Sequence, residues 1–241
     1  MIDSIILKEI TEHAKNCYPN ECCGLIIKHE QFEYFPCTNI VPKSDDEKKS
    51  AKYNFAIDPV QYVEAENKGV IKYIVHSHPD ASSRPSKADI ARCNESGVEW
   101  LILAYPSLDW RVIEPVSPDL VGRDFVLGVY DCYGLIRDYY KTELNIELPD
   151  FRVDYEWWEK GENLYLDNYE KAGFVEVNNL RKHDVILMQV SAHVANHAGI
   201  IVDNNCMLHH LYGRKSCRTP YGGYYRDRTI KILRHQNLIE S

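Results

Sequence analysis

Residues 74–89, IVHSHPDASSRPSKAD, carry side chains that could bind a metal ion. The apolar run predicts a strand, and side chains two residues apart on a strand point to the same face, so we expect His76 and His78 to lie side by side. Asp89 follows at the start of the next predicted helix and supplies a third ligand. Two imidazoles and one carboxylate suit a catalytic zinc ion, which keeps a fourth position for water. The residue types therefore favour a metal site over a strand that simply ends in histidines.

Two further residues could complete a hydrolytic site around this metal. The water needs a base outside the ligand set, and we select Glu21, at the mouth of the predicted strand CCGLII. Ser86 could stabilise the oxygen that becomes negative when a carbonyl is attacked. Ser86 and Asp89 also have the spacing of a helix N-cap followed by an acid in the first turn. The two interpretations are compatible, because one Ser and one Asp can cap a helix and face a site.

A second candidate site begins at Cys132. This residue opens the predicted helix DCYGLIRDYYKTEL, with Asp131 as its cap. A helix N-terminus favours the thiolate, which is the reactive form of cysteine, so the position suits a nucleophile. A buried structural cysteine is the more common interpretation of a lone Cys, but histidines further along the chain favour the nucleophile.

These histidines lie in residues 196–213, where two strand-like runs predict a hairpin. The turn residues between the runs are Asp203, Asn204 and Asn205. A three-residue loop would place His197 and His209 on one face as diagonal neighbours, whereas a two-residue loop would bring His210 opposite His197. One histidine beside the thiol can act as base and as acid for the leaving group, and a second polar group orients its ring. Periodicity alone does not choose between His209 and His210.

The elements that must position these residues follow from periodicity and turn signals. Helices are predicted over residues 2–17, over 58–69 between an Asp-Pro pair and a glycine, and over 87–95 before Gly97. The predicted strands of this half are CCGLIIKH, FEYFPC, VIKYIVH, EWLILAY and WRVIEP, with the charged loop PKSDDEKKSAK between the second and third. In the second half a helix comes first, and the strands DVILMQV, HAGIIV and CMLHHLY follow.

A domain boundary is predicted within EPVSPDLVG, residues 114–122, whose prolines, serine and glycine are typical of a linker. We place it near Ser117, which gives domains 1–116 and 117–241. The basic segment GRKSCRTPYGGYYRDRTIKILRH, residues 213–235, could be a docking surface for a glycan, a peptide or a partner protein. The alternative is a last strand pair around the turn Gly222–Gly223.

Composition limits the classes of protein that this chain can be. With 241 residues, of which 44% are hydrophobic and 27% charged, it is predicted to be soluble and globular. The net charge of −8 argues against nucleic-acid binding, and no apolar run reaches the roughly 18 residues of a membrane helix. The first 16 residues lack the basic start of a signal peptide, so we expect no export route. The eight cysteines show no C-x-x-C spacing, which favours reduced thiols.

The first set of motifs closely resembles the signature of the JAMM metalloproteases of the MPN fold. The shared pattern is Glu21, then HSHP, six residues, Ser86, two residues and Asp89, and the resemblance covers residues 1–114. It implies a mixed β-sheet with flanking helices and hydrolysis of a peptide or isopeptide bond. In that family the His-x-His pair and the Asp bind zinc, the Glu is the general base and the Ser supports the oxyanion, which here implies His76, His78, Asp89, Glu21 and Ser86.

The second half is similar to the NlpC family of cell-wall cysteine endopeptidases, which implies a papain-like α+β domain. The matching elements are DCYG with Cys132, HAGI with His197, and a further histidine twelve residues later. This family spacing selects His209 over His210. One element departs from the family: many members carry a tyrosine in Y-x-x-G shortly before the Cys, whereas FVLG offers Phe125, so the residue that supports the oxyanion is unassigned.

The order of the two halves, together with NHAGI, LHHLYGR and TPYGGYYRDRT, closely resembles the tail assembly proteins of lambda-type phages. The resemblance implies a component of the virion tail tip that is made in the host cytoplasm without a signal peptide. Its expected partners are peptidoglycan peptides, which it would cut, and other phage tail proteins, with no nucleic acid and no membrane. For the metalloprotease half, the family suggests processing of a tail protein or of a ubiquitin-like segment.

Two alternative functions stay open. The chain could be a structural tail protein whose sites are inactive relics, which predicts no stoichiometric metal or an unreactive Cys132. It could also be a cellular zinc isopeptidase of prophage origin, which predicts activity on folded protein conjugates and none on cell-wall muropeptides.

Overall fold

The structure is a computed structural model that describes residues 2–203 and 205–239. The predicted turn residue Asn204 lies outside the described residues, as do Met1, Glu240 and Ser241. The chain divides into two compact units, Met1–Ser117 and Pro118–Ser241. None of the helices in the two described ranges combines the length and the apolar character that a membrane span requires.

The first unit is built on one five-stranded sheet. Its strands are β1 (Cys23–Lys28), β2 (Phe32–Cys37), β3 (Val70–Pro79), β4 (Glu99–Tyr105) and β5 (Trp110–Ile113). They are arranged in the order β2-β1-β3-β4-β5. The strands β3 and β4 are parallel and the other neighbours are antiparallel, so the sheet is mixed, as predicted. A parallel pair needs a crossover connection, and the helix between β3 and β4 provides it.

Three helices accompany this sheet: α1 (Ser4–Cys17), α2 (Pro59–Lys68) and α3 (Lys87–Ser96). The carboxylate of Asp3 caps α1 by accepting hydrogen bonds from the backbone N–H groups of Ile5 and Ile6. Ile6, Ile10 and Ala14, spaced four apart, are the buried positions of this helix, whereas Ile5 is 68% exposed. Ile5, although apolar, therefore lies outside the buried face of α1.

Apolar side chains cover both faces of the sheet. One buried cluster joins α1 to Val75 of β3, and the other joins Ala65 of α2 and Cys93 of α3 to Ile74 of β3. Because side chains alternate along a strand, His76 shares the face of Ile74, against which α3 packs. This alternation is what brings the start of α3 to the histidines.

The second unit combines helices with a six-stranded antiparallel sheet. Its helices are α4 (Cys132–Leu144) and α5 (Leu164–Asn168), and its strands are β6 (Phe174–Glu176), β7 (Val185–Met188), β8 (His197–Asp203), β9 (Cys206–His209), β10 (Cys217–Pro220) and β11 (Thr229–His235). The strand order is β10-β9-β8-β7-β11-β6. Leu135, Ile136 and Tyr139 of α4 belong to one buried apolar cluster with Leu187 of β7 and Ala198 of β8. The α+β class predicted for both halves is confirmed.

The last strands do not pair as the sequence suggests. A hairpin around Gly222–Gly223 would pair β10 with β11, but β10 pairs with β9, and β11 lies between β7 and β6. The strand pair predicted for the basic segment is therefore wrong. β10 is an edge strand and β11 is an interior strand of the same sheet, and a local turn signal does not report which neighbours a strand will pair with.

Candidate functional sites

The first site is a cluster of three potential metal ligands. His76 and His78 come from the end of β3, and Asp89 comes from the first turn of α3. Their ligand atoms lie within 4.8 Å of one another. The two Nε2 atoms are 3.1 Å apart, and they lie 3.4 Å from Oδ1 and Oδ2 of Asp89, respectively. The predicted ligand set is therefore brought together at one point.

The separations within this cluster fit a metal ion. Bonds of about 2.0–2.1 Å to a tetrahedral ion such as zinc place neighbouring ligand atoms about 3.3 Å apart. Nδ1 of His78 lies 2.9 Å from the carbonyl oxygen of Ser82. When Nδ1–H donates to this carbonyl, the lone pair of Nε2 points into the cluster, which is the tautomer that a metal requires.

Aromatic side chains fix the ring of His76. Phe55 stacks on it with ring centroids 4.6 Å apart, and the edge of Trp100 meets it at 5.5 Å. Its Nδ1 is buried and has no hydrogen-bond partner among the described residues. Burial lowers the pKa of His76, which keeps the imidazole in the neutral form that binds metal. Phe55 was not among the residues selected from the sequence, because nothing in its local pattern indicates this contact.

The acid of the cluster is held ionised. Burial opposes the charge of Asp89, but hydrogen bonds with His76 and His78 outweigh it and hold the pKa of this carboxyl well below its usual range. For His78, burial acts to lower the pKa, yet the contacts with Asp89 and the Ser82 carbonyl raise it overall. The cluster thus holds one fixed negative charge beside two histidines. A divalent cation that binds here would take the place of protons held by the cluster.

Glu21 lies immediately before β1 and outside the ligand cluster. Ser77 holds the next residue along the chain: its Oγ accepts the backbone N–H of Cys22 at 2.8 Å, and its N–H donates to the Cys22 carbonyl at 3.1 Å. Burial, together with the nearby charge of Asp89, raises the pKa of Glu21 to about 9. The side chain of Ser77, which points away from the histidines, thus fixes the backbone next to the predicted base.

Ser86 is the N-cap of α3 and forms a reciprocal capping box with Asp89. Its Oγ accepts the backbone N–H of Asp89 at 3.1 Å, and Oδ2 of Asp89 accepts the backbone N–H of Ser86 at 2.6 Å. The capping interpretation and the ligand position of Asp89 therefore hold together. The hydroxyl proton of Ser86 is not used in this cap, so the exposed side chain can still donate a hydrogen bond.

The second site is centred on Cys132, the first residue of α4. Asp131 caps the helix by accepting the backbone N–H of Gly134 at 2.8 Å. A Cβ at Gly134 would lie 2.1 Å from the carbonyl oxygen of Val129, so only glycine fits this part of the DCYG motif. Burial of the sulfur and the charge of Asp131 raise the pKa of Cys132 to about 12. The helix N-terminus does not, by itself, produce the thiolate that the sequence position suggests.

The histidines of β8 and β9 form a hydrogen-bonded pair. Nε2 of His197 lies 2.9 Å from Nδ1 of His209, and both rings are almost fully buried. Nε2 of His209 lies 3.1 Å from Oγ1 of Thr219 on β10. A Cβ at Gly199 would lie 3.2 Å from Cβ of His209, and closer still to Met207, so the glycine of HAGI permits this approach.

The register that pairs His197 with His209 depends on a bulge. Asp203 pairs with Cys206, which closes the hairpin around two residues, the loop length that was expected to favour His210. The pairing shifts between Asp203 and Ile201, however, and beyond it Gly199 is opposite His209. The extra residue, Val202, restores the register of a three-residue loop, so the expectation that a two-residue loop selects His210 is wrong.

Burial keeps both histidines neutral. It lowers the pKa of His197 to about 3, with a smaller effect from His209 and His210, and that of His209 to about 4. Because Nε2 of His197 bonds to His209, its Nδ1 is the nitrogen left to exchange a proton. His210 is fully buried, and neither of its ring nitrogens has a hydrogen-bond partner among the described residues.

Cys132 and His197 line one cavity of about 540 Å³ within the second unit. Aromatic side chains make up much of its wall: Phe125, Tyr133, Trp157, Trp158, Tyr165 and Tyr212. The sulfur of Cys132 lies 3.0 Å from the hydroxyl oxygen of Tyr165. No sequence pattern indicates Tyr165, since it lies 33 residues after the cysteine in a short helix without a motif.

Two family models match the two halves of the chain. The model for prokaryotic homologs of the JAB domain matches residues 3–113, and the model for the NlpC/P60 family matches residues 122–234. With the folds and clusters described above, these matches define the class: a two-domain protein with a JAB/MPN-like domain followed by an NlpC/P60 domain.

Similarity over the whole length narrows the class to one family. The chain is 42% identical to the tail tip assembly protein K of Escherichia phage N15, over 95% of this chain and 93% of that protein. It is 36% identical to the tail tip assembly protein K of Escherichia phage lambda, over 75% of this chain and 89% of that protein. The chain belongs to the tail tip assembly protein K family, which confirms the resemblance seen in its motifs.

Solved structures also match part of the chain. A JAB1/MPN domain protein from Archaeoglobus fulgidus is 24% identical, with 45% of this chain and 83% of that chain covered and a TM-score of 0.30.

Proposed function

We propose that this protein is a phage tail-tip component with two separate hydrolase sites. Residues 1–116 would form a zinc-dependent peptidase or isopeptidase domain, and residues 117–241 a cysteine endopeptidase domain that cleaves peptidoglycan peptides. Membership of the tail tip assembly protein K family supports the tail role. One observation supports the wall-cutting activity most directly. Cys132 and His197 line the same cavity, and Nε2 of His197 is hydrogen-bonded to His209, which leaves Nδ1 of His197 for the reaction.

The proposed cysteine mechanism assigns one task to each residue. Cys132 is the nucleophile, and Nδ1 of His197 takes its proton and later gives it to the leaving amine. His209 accepts the hydrogen bond from Nε2–H of His197 and so keeps Nδ1 free of its proton in the resting state. Oγ1 of Thr219, which is hydrogen-bonded to Nε2 of His209, holds the ring of His209 in place.

At the first site, His76, His78 and Asp89 would hold a zinc ion. When bound, zinc supplies Lewis acidity and lowers the pKa of water to about 7. Glu21 is the proposed general base; positive charge at the cluster would offset the charge of Asp89 and lower the pKa of Glu21 from its raised value. Glu21 could then move a proton from water to the leaving amine, while the hydroxyl of Ser86 donates to the oxyanion.

The proposed substrates differ between the two domains. The NlpC/P60 match supports a peptide substrate for the second domain, and we propose the peptides of peptidoglycan. For the first domain we propose another tail protein or a ubiquitin-like segment. Purified protein that leaves every co-expressed tail protein intact would count against this part of the proposal.

Digestion of purified peptidoglycan, with the fragments identified by mass spectrometry, tests the main claim. Wild type and His78→Ala should release the same peptide fragments, and Cys132→Ala should release none. Metal content measured on the same samples should be about one zinc per chain for wild type and Cys132→Ala, and close to none for His78→Ala. Absence of cleavage by wild type would overturn the wall-cutting activity.

A structural tail protein with an inactive cysteine site is the second candidate, and the raised pKa of Cys132 favours it. It predicts that Cys132 reacts with iodoacetamide no faster than a buried thiol at pH 7.5. Fast alkylation would exclude this candidate.

A further inference from the structure

A tyrosine hydroxyl contacts the proposed nucleophile from outside the predicted site. The hydroxyl oxygen of Tyr165, on α5, lies 3.0 Å from Sγ of Cys132. This distance is short for a hydrogen bond that involves sulfur, and the hydroxyl makes no other hydrogen bond among the described residues. Tyr165 is therefore placed to respond to the charge of the sulfur.

The ring of Tyr165 is held in this position by its neighbours. The edge of Trp157 packs against it at 5.5 Å between centroids, and Tyr133 meets it at 6.4 Å. The hydroxyl of Tyr133 points elsewhere and donates to the carbonyl of Pro149 at 2.8 Å. Of these two neighbouring tyrosines, only Tyr165 reaches the sulfur. A donor fixed before the reaction needs no reorganisation when charge develops.

The groups that face Cys132 explain why a donor is needed. Enclosure by protein and the carboxylate of Asp131 raise its pKa, whereas the hydroxyl of Tyr165 and the backbone N–H of Ala198 act to lower it. His197 faces the same cavity from β8 and is neutral. Burial raises the pKa of Tyr165 well above its ordinary value, so its hydroxyl keeps its proton and can only donate to a thiolate.

We propose that Tyr165 is a catalytic residue of the cysteine site and that its hydroxyl donates a hydrogen bond to the thiolate of Cys132. This inference rests on the proposed nucleophilic function of Cys132 and adds a residue to that site.

The proton and electron movements of this step are as follows. The Sγ–H proton passes to Nδ1 of His197, and a lone pair of the sulfur accepts the O–H of Tyr165. A sulfur lone pair then forms the S–C bond to the peptide carbonyl carbon, and the π pair of C=O moves to oxygen. When the carbonyl re-forms, the C–N bond breaks and His197 returns the proton to the amine nitrogen. Water, with its proton taken by His197, hydrolyses the thioester and restores the thiol.

The rate of Cys132 alkylation tests the proposal directly. Full-length protein is treated with iodoacetamide at several fixed pH values between 7 and 10, all below the raised pKa of Cys132, and the rate at which the Cys132 peptide is alkylated is measured by mass spectrometry. At these pH values the rate follows the thiolate fraction, so Tyr165→Phe should slow alkylation by about tenfold at each pH, as expected for loss of a hydrogen bond to a charged acceptor. The matched control Tyr133→Phe removes a hydroxyl from the same cavity wall without touching sulfur, and its rate should match wild type. A Tyr165→Phe rate equal to that of wild type would overturn the proposal.

A second measurement decides the question if Tyr165→Phe does not fold. Replacement of Tyr165 by 3-fluorotyrosine keeps the ring and makes the hydroxyl a stronger donor, so alkylation at fixed pH should be faster than in wild type; an unchanged or slower rate would overturn the proposal. Alkylation needs no peptide substrate. Failure to digest peptidoglycan would therefore refute the wall-cutting activity and leave the result for Tyr165 standing.

Discussion

The proposed metal centre takes its three candidate ligands from residues 76–89, whereas the proposed cysteine site draws on α4, α5, β8 and β9. At the metal centre, strand alternation and a helix cap set the geometry, and both are local properties of the chain. At the cysteine site, the position of His209 depends on a bulge at Val202 and on support from β10. Local geometry therefore fixes the ligands of the first site, and sheet register fixes the histidines of the second.

Both sites also place a reactive group at the start of a helix, with opposite electrostatic results. Asp89 bonds to two histidines and to the backbone of Ser86, and its pKa falls although it is buried. Cys132 has the carboxylate of Asp131 next to it, and its pKa rises. A helix terminus contributes about 0.3–1 kcal/mol at most exposed sites, which is less than the cost of burying a charge. The neighbours of the group, more than the helix, decide whether it ionises.

The largest expected effect tests whether the second site depends on its sheet register. His209→Ala removes the acceptor for Nε2–H of His197, so the imidazole loses its preferred tautomer and orientation. Turnover of peptidoglycan peptides should fall by about 10²- to 10⁴-fold, the range seen when the orienting member of a triad is lost. His209→Asn, which keeps an acceptor, should recover part of this loss.

The neighbouring residue provides the control. His210→Phe replaces a buried ring whose nitrogens make no hydrogen bond within the part of the chain that the structure describes, so turnover should stay close to that of wild type. The thermal midpoint should be unchanged or higher, because each unsatisfied buried group costs about 1–3 kcal/mol. Equal losses of turnover in the His209 and His210 variants would show that the register seen here does not define the site.

Metal removal should destabilise the first unit and leave the stability of the second unit unchanged. A ligand at 100 times its Kd stabilises the folded state by about 2.7 kcal/mol, or about 100-fold in the opening equilibrium. Hydrogen exchange read by mass spectrometry should therefore show chelator-dependent loss of protection in the first unit, with the second unit unchanged. Asp89→Asn, which removes the charged ligand, should make the first unit insensitive to zinc and chelator. Loss of protection in both units of the wild type would contradict two separate sites.

The same contrast explains how much could be predicted from the sequence. His76, His78 and Asp89 were predicted to lie together, and they do, because β3 alternation and the Ser86 cap act over few residues. The choice between His209 and His210 needed family spacing, since periodicity alone left both residues open. Tyr165 and Phe55 were missed because each reaches its site through tertiary packing and has no local signature.

The smallest expected effect is the response of metal-free protein to mild acid. Burial lowers the folded-state pKa of His197, His209 and His210 below the unfolded value near 6.5. The unfolded second unit therefore binds more protons as pH falls, and its stability should decrease from pH 7 to pH 6. In the first unit, Glu21 has a raised pKa of about 9, so between pH 7 and pH 6 the folded state binds more protons at this residue than the unfolded state. The contribution of Glu21 to the stability of the first unit should therefore increase as the pH falls.

Hydrogen exchange at the two pH values, corrected for the intrinsic rate and with chelator present, measures both units in one sample. Opening of the second unit should increase roughly thirtyfold between pH 7 and pH 6, the combined effect of about threefold from each of its three buried histidines. Opening of the first unit should increase less or decrease, and Glu21→Gln should remove its opposing contribution. If the second unit keeps full protection at pH 6, its histidines are not held neutral by burial, and the proposed resting state, with the proton on Cys132 and a neutral His197, would have to be abandoned.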